Sequence, residues 1–273
     1  MADLSISAEL VSGILREFVR EEVLKVGAAG VVVGISGGVD SALAARLAVD
    51  ALGPRAVTGL ALPYRQSSPS SLEDARLVAS ELEIEMLVLE ITPQIDAYFA
   101  QLPGADPTRR GNKMARERMS ILYDISSTRS ALVLGTSNKS ELLLGYSTLW
   151  GDGAHALNPL GDLYKTQVFQ LARHLGLPER IVGKPPSADL FAGQSDEADL
   201  GFTYETADQI LFGLIDERRS PGELEELAFA PQLVAAVWKR VRDSQFKRRP
   251  PLIAKISARS VEQDFRYPRD WGH

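Results

Sequence analysis

The sequence predicts an α/β protein, a mostly parallel sheet covered by helices on both faces. Three observations carry this reading. Short apolar runs recur at residues 30–35, 56–62, 84–91 and 131–134. Helix-period patterns fill the spaces between them, at 41–52, 71–82 and 112–126. Such alternation is the sequence form of parallel strands joined by crossover helices. The first strand, moreover, runs into a glycine turn that opens a helix, Gly34-Ile35-Ser36-Gly37-Gly38-Val39-Asp40-Ser41. Ligands of open parallel sheets sit at such carboxyl ends.

Taken in order, residues 7–26 read as an amphipathic opening helix with Leu10, Ile14, Phe18 and Val19 on its apolar side. The β-branched run Val31-Val32-Val33 suits a buried strand. Gly37 and Gly38 then let the backbone approach a phosphate without a Cβ clash. The helix start that follows supplies unpaired N–H groups and the positive end of its dipole. Asp40 sets one carboxylate beside that anion, which makes sense if Mg²⁺ bridges the two. The segment is neither a Walker A loop, which needs G-x-x-x-x-G-K-[ST], nor a G-x-G-x-x-G dinucleotide fingerprint. Taken alone, it is also what an ordinary strand-to-helix turn looks like, with Asp40 as a helix N-cap.

The strand at 131–134 leads to a second strand-end loop, Gly135-Thr136-Ser137-Asn138. Glu141 behind it suits a first helical turn by the dipole alone. Two polar loops, 64–71 and 184–201, fit either lids over a reactive intermediate or plain surface connections. The tail after Pro250 is basic and aromatic by turns. No repeat or clear domain boundary interrupts the chain, so a single domain over 1–273 is expected, with a C-terminal tail at 247–273.

Composition narrows the function. The 273 residues are 45% hydrophobic and 24% charged, as in soluble globular proteins. No apolar run approaches a membrane span, and residues 1–9 lack the order of a signal peptide. A cytoplasmic protein without membrane contact is the expectation. A net charge of −6 argues against a general nucleic-acid binder. The cysteine count of zero removes disulfides, thiolate metal sites and any cysteine nucleophile. A cysteine-based glutaminase and thiol-mediated sulfur transfer are therefore outside this chain's chemistry. His155, His174 and His273 show no metal spacing, and Tyr146 and Trp150 read as packing residues, with base stacking open to Tyr146.

The pattern S-G-G-x-D-S at Ser36–Ser41 resembles the pyrophosphate loop of the N-type ATP pyrophosphatases. A second constellation is more specific. It runs Gly135-Thr136-Ser137-Asn138-Lys139-Ser140-Glu141, then Gly145-Tyr146, Gly151-Asp152, Asn158-Pro159 and Asp162-Leu163-Tyr164-Lys165-Thr166. This resembles the ammonia-dependent NAD synthetases, whose pattern is G-T-x-N-K-S-E-x-x-x-G-Y, G-D, N-P and D-L-x-K-T. Lys184-Pro185-Pro186-Ser187, Gly193-Gln194-Ser195-Asp196-Glu197, the run from Asn112 to Met119 and Lys247-Arg248-Arg249 continue the likeness across almost the whole chain.

The resemblance implies a Rossmann-like sheet of the adenine nucleotide alpha hydrolase kind. It implies the reaction of deamido-NAD, ATP and ammonia to NAD, AMP and pyrophosphate. By position, Gly34, Ile35, Ser36, Gly37, Gly38, Val39, Asp40 and Ser41 would hold the phosphates, and Asp40 and Glu141 would hold Mg²⁺. Thr136, Lys165 and Ser187 would contact ATP, with Asp40 and Lys165 as the catalytic pair. Arg116 and Lys247 would contact the dinucleotide. The family is dimeric, which makes the helix at 112–126 an interface candidate. Three positions depart from the family pattern. Leu149 stands where many members have Lys, Ala156 where they have Asp, and Phe246 where they have His. These departures leave the ATP-activating residues in place. They keep open whether the acceptor is deamido-NAD or a smaller relative such as nicotinate mononucleotide, and an ATP-binding module without turnover is the reading from another class.

Overall fold

A computed structural model describes residues 2–187, 195–227, 229–261 and 264–265. Four strands form one parallel sheet: β1 Val31–Gly34, β2 Val57–Ala61, β3 Glu85–Val88 and β4 Leu132–Leu134, in the order β3-β2-β1-β4. The helices are α1 Ala8–Lys25, α2 Val39–Leu52, α3 Pro69–Glu81, α4 Thr92–Gln101, α5 Pro107–Thr128, α6 Lys139–Leu144, α7 Lys165–His174, α8 Glu179–Val182, α9 Asp196–Leu200, α10 Tyr204–Leu211, α11 Pro221–Glu226 and α12 Pro231–Asp243.

The two-residue period of β1 divides the core. Val31, Val33 and Ile35 point into a cluster with α1, α2 and α7. Val32 points the other way, onto Ile95 and Phe99 of α4 and Met114 of α5. Ala42, Ala44, Ala45 and Ala48 of α2 are all fully buried. Their small side chains let this helix lie close to the sheet while α1 and α7 cover it. The strand-helix alternation read from the sequence is thus present, and β1 sits in the middle of it.

Two features differ from the sequence reading. In α1 the face turned inward carries Val19 and Val23, with Val11 and Leu15 packed beside them. Leu10, Ile14 and Phe18 lie on the outer side, at 62%, 57% and 37% exposure. The helix has two apolar rows, and the one of Val11, Leu15, Val19 and Val23 packs into the core. The second difference is α5, which begins at Pro107, not at residue 112. Asp106 caps it by accepting from the Arg109 N–H at 2.7 Å, and proline at the first position suits a helix start. That polar first turn has no apolar period to reveal it.

The second half of the chain builds a helical cluster of its own. Leu144, Tyr164, Ile210, Leu211, Val234 and Val237 join α6, α10 and α12 in it. Among the described residues, no helix is long and apolar enough to cross a membrane.

Strand order places the site. From β1 the chain steps to β2 and β3 on one side, then returns to β4 on the other. The loops leaving β1 and β4 diverge at this switch point, and the crevice between them is where open parallel sheets take ligands.

Candidate active site

The loop after β1 is shaped by one glycine. Gly37 has φ +80°, and a Cβ there would lie 2.5 Å from the Ser71 carbonyl and 2.8 Å from Asp74 Cβ. Any other residue would be strained and would collide with α3. The Ser41 hydroxyl then ties the loop. It donates to the Gly38 carbonyl at 3.0 Å and accepts from the Ser36 N–H at 3.2 Å. Gly38 is the extended N-cap of α2, so Asp40 stands in the first helical turn and is not the cap.

The loop after β4 is fixed by a different device. Asn138, fully buried, caps α6 by accepting from the Glu141 N–H at 3.0 Å, while Glu141 Oε2 accepts from the Asn138 N–H at 3.2 Å. This is a reciprocal capping box. The Asn138 amide also donates to Asp40 Oδ1 at 2.9 Å. One side chain therefore caps α6 and links the two loops across the switch point.

Lys165, at the start of α7, closes the floor. Its Nζ lies 2.5 Å from Asp40 Oδ2 and 3.5 Å from Glu141 Oε1, and its side chain is 2% exposed. Burial works against the ammonium, but the two carboxylates outweigh it and hold the lysine above its ordinary range. Burial first, and then repulsion from Asp40, push the Glu141 carboxyl up to about 8. Asp208 of α10 sets this corner from behind. It accepts from the Ser140 hydroxyl at 2.5 Å and from the Thr166 N–H at 2.9 Å, and Ser140 Oγ accepts from the Lys165 N–H at 2.9 Å. The carboxyl of Asp208 is raised by burial.

These groups face a cavity of about 980 Å³, a size suited to a nucleotide and an acceptor together. Gly34, Ile35, Ser36, Gly38, Val39, Asp40 and Ser41 line it, as do Thr136, Glu141, Lys165, Ser187 and Lys247. Gly37 forms the turn behind this wall. Lys247 donates to the Gly145 and Ser147 carbonyls at 2.7 and 2.5 Å. Arg116 lies elsewhere. It is exposed, and its Nε donates to the Leu149 carbonyl at 3.2 Å. Arg118, two residues on, lines the cavity and donates to the Leu62 carbonyl at 2.9 Å. Tyr146 lines the cavity with its hydroxyl donating to Asp199 at 2.9 Å. Trp150, read as a packing residue, is 52% exposed at φ +59°. The loop at 184–201 is described up to Ser187 and from Ser195 onward, so its middle lies outside the described residues. Among those described, no group of three or more His, Cys, Asp or Glu side chains could hold a metal by itself.

Sequence reasoning missed Asn138 and Asp208 as site residues. The spacing N-x-x-E at Asn138 and Glu141 is a visible capping signal. Asp208 reaches Ser140 across 68 positions and leaves no such trace.

Comparison with known proteins agrees with this geometry. The NAD synthase family model matches residues 11–251. The NH(3)-dependent NAD(+) synthetase of Trichlorobacter lovleyi is 53% identical over 272 residues, covering 100% of both chains. The NMN synthetase structure from Francisella tularensis superposes with a TM-score of 0.82 at 32% identity, covering 92% of this chain and 99% of that one. An NH3-dependent NAD synthetase from Campylobacter jejuni, in complex with nitrate, gives 0.79 at 36%, with 92% and 100% covered. The motif-bearing loops, the switch-point cavity and these near full-length matches converge, and the chain belongs to the NAD synthase family.

Proposed function

We propose that this chain makes NAD from deamido-NAD, ATP and free ammonia, releasing AMP and pyrophosphate. The observation that carries the reading is Lys165, buried between Asp40 and Glu141 beside the Ser36 loop. A carboxylate is a poor acyl donor, since oxide is a poor leaving group. Its oxygen therefore attacks the α-phosphorus of ATP, the bond to the β-phosphate oxygen breaks, and the electron pair leaves on pyrophosphate. Ammonia then attacks the carbonyl carbon of the acyl-adenylate. AMP departs with the carboxylate oxygen, and one N–H proton is released.

The residues divide this work. The Ser36 loop and the start of α2 bind the phosphates through N–H groups and the helix dipole. Lys165 offsets charge that builds on the phosphates in the transition state. Thr136 and Ser187, on the cavity wall, would contact ATP. Lys247 would meet the dinucleotide, and Arg116 would meet it from outside the cavity. Asp40 and Glu141 would hold Mg²⁺: carboxylate oxygens suit that cation, and its charge would offset the burial and the Asp40 repulsion that raise Glu141. When bound, Mg²⁺ supplies further neutralisation of phosphate charge. With no cysteine, these 273 residues hold no cysteine-based glutaminase, which fits free ammonia as the nitrogen donor.

The likeness to an NMN synthetase, together with Leu149 and Ala156, favours a second acceptor, nicotinate mononucleotide. One assay weighs both. With ATP, Mg²⁺, ammonium and either acceptor, the account expects AMP and pyrophosphate, with deamido-NAD giving the higher kcat/KM. A higher kcat/KM for nicotinate mononucleotide reassigns the acceptor, and release of ADP and phosphate sinks the mechanism.

A further inference from the structure

The cations on the cavity wall are not equivalent. Lys165 is held by Asp40 and Glu141, and Lys247 by two backbone carbonyls. Lys184, which follows α8, also lines the cavity, on the side of the Ser36 loop. Its Nζ lies 2.8 Å from Asp74 Oδ2 and 3.4 Å from Ser71 Oγ. Both partners belong to the turn of α3 that backs Gly37, the turn a Cβ at Gly37 would strike. The lysine is therefore anchored directly behind the loop that receives the phosphates.

Its anchor is also built to let go. Asp74, with a side chain 3% exposed, holds a second cation, Arg180, whose Nε is 2.6 Å from Oδ1. When Lys184 leaves, Asp74 keeps an ionic partner, so no buried carboxylate is stranded. The Lys184 side chain is 27% exposed, and its flexible four-carbon stem can redirect the ammonium as a point charge.

We propose that Lys184 is a further phosphate-binding residue of the reaction, exchanging Asp74 for the β- and γ-phosphates of ATP. As the bond between the α-phosphorus and the β-phosphate oxygen breaks, the pair goes to pyrophosphate, which accepts hydrogen bonds from Lys184 with no proton transferred. This rests on the ATP-pyrophosphatase reading above and adds the residue that follows the leaving group.

The test compares the full chain with Lys184→Met and Lys184→Arg. Pyrophosphate binding is measured by calorimetry with Mg²⁺ present, beside KM for ATP, KM for deamido-NAD and the affinity for AMP. Lys184→Met should weaken pyrophosphate and raise KM for ATP by roughly ten- to a hundredfold, the span of a lost hydrogen bond to a charged group. AMP affinity and KM for deamido-NAD should hold, and Lys184→Arg should recover most of the loss. Equal pyrophosphate affinity in wild type and Lys184→Met overturns the inference while an active wild type leaves the proposed function standing. So does an equal loss for AMP, which would mark a collapsed wall. A wild type that binds pyrophosphate through Lys184 but makes no NAD counts against the proposed function instead, and one that binds no pyrophosphate overturns both.

Discussion

Lys165 keeps its charge where burial alone would strip it, because Asp40 and Glu141 flank it. Read alone, Asp40 is a helix cap and Glu141 a first-turn glutamate. Glu141 is a first-turn glutamate that also faces the site, since one carboxylate oxygen completes the capping box while the other faces Lys165. The motifs made these residues legible. Asp208 was not legible, because its role is made by packing between α10 and the starts of α6 and α7. His155 shows a different kind of cost. Its Nδ1 is buried without a hydrogen-bond partner among the described residues, and burial lowers its pKa below the ordinary histidine value. The unfolded chain therefore takes up a proton first as pH falls through about 6.5, and stability is lost across that window. His155→Gln should show a flatter fall in melting temperature from about pH 7.5 to about pH 5.5 than the wild type. Parallel curves for the two proteins would contradict this.

At the scale of elements, the β-turn-α unit of β1, the Ser36 loop and α2 is the most legible part of the chain. Its glycines, its β-branched strand and its alanine-rich helix agree with one another. Gly37→Ala tests how much the turn demands. The φ of +80° alone should cost about 1–2 kcal/mol, and contact with the Ser71 carbonyl adds to it. The variant should melt lower and lose ATP affinity by at least about tenfold. Unchanged ATP binding would show that the loop does not hold the phosphates. α1 teaches the limit of periodicity. Leu10, Ile14 and Phe18 recur at helical spacing yet face outward, because the choice between two apolar rows is made by α2 and α7. The helices beyond residue 165 were barely readable, being short and bounded by loops, with apolar faces that find one another only in the assembled cluster.

For the whole molecule, the site exists because the strand order reverses at β1. Asp40 meets Asn138 across 98 positions and Lys165 across 125. No local pattern contains those distances, whereas the parallel alternation contains the reason for them. We infer a homodimer from the family resemblance. Light scattering on the purified protein should give twice the mass of the 29.7 kDa chain, and a monomer at assay concentration would contradict the dimer. A dimer would also give exposed Arg116 a second surface to meet. The central claim is that the acceptor carboxylate is adenylated. Deamido-NAD labelled with ¹⁸O in its nicotinate carboxylate tests it most directly, through the mass of the products formed with ATP, Mg²⁺ and ammonium. The account predicts one labelled oxygen in AMP and none in pyrophosphate, whereas unlabelled AMP, or label in a released phosphate, would contradict it.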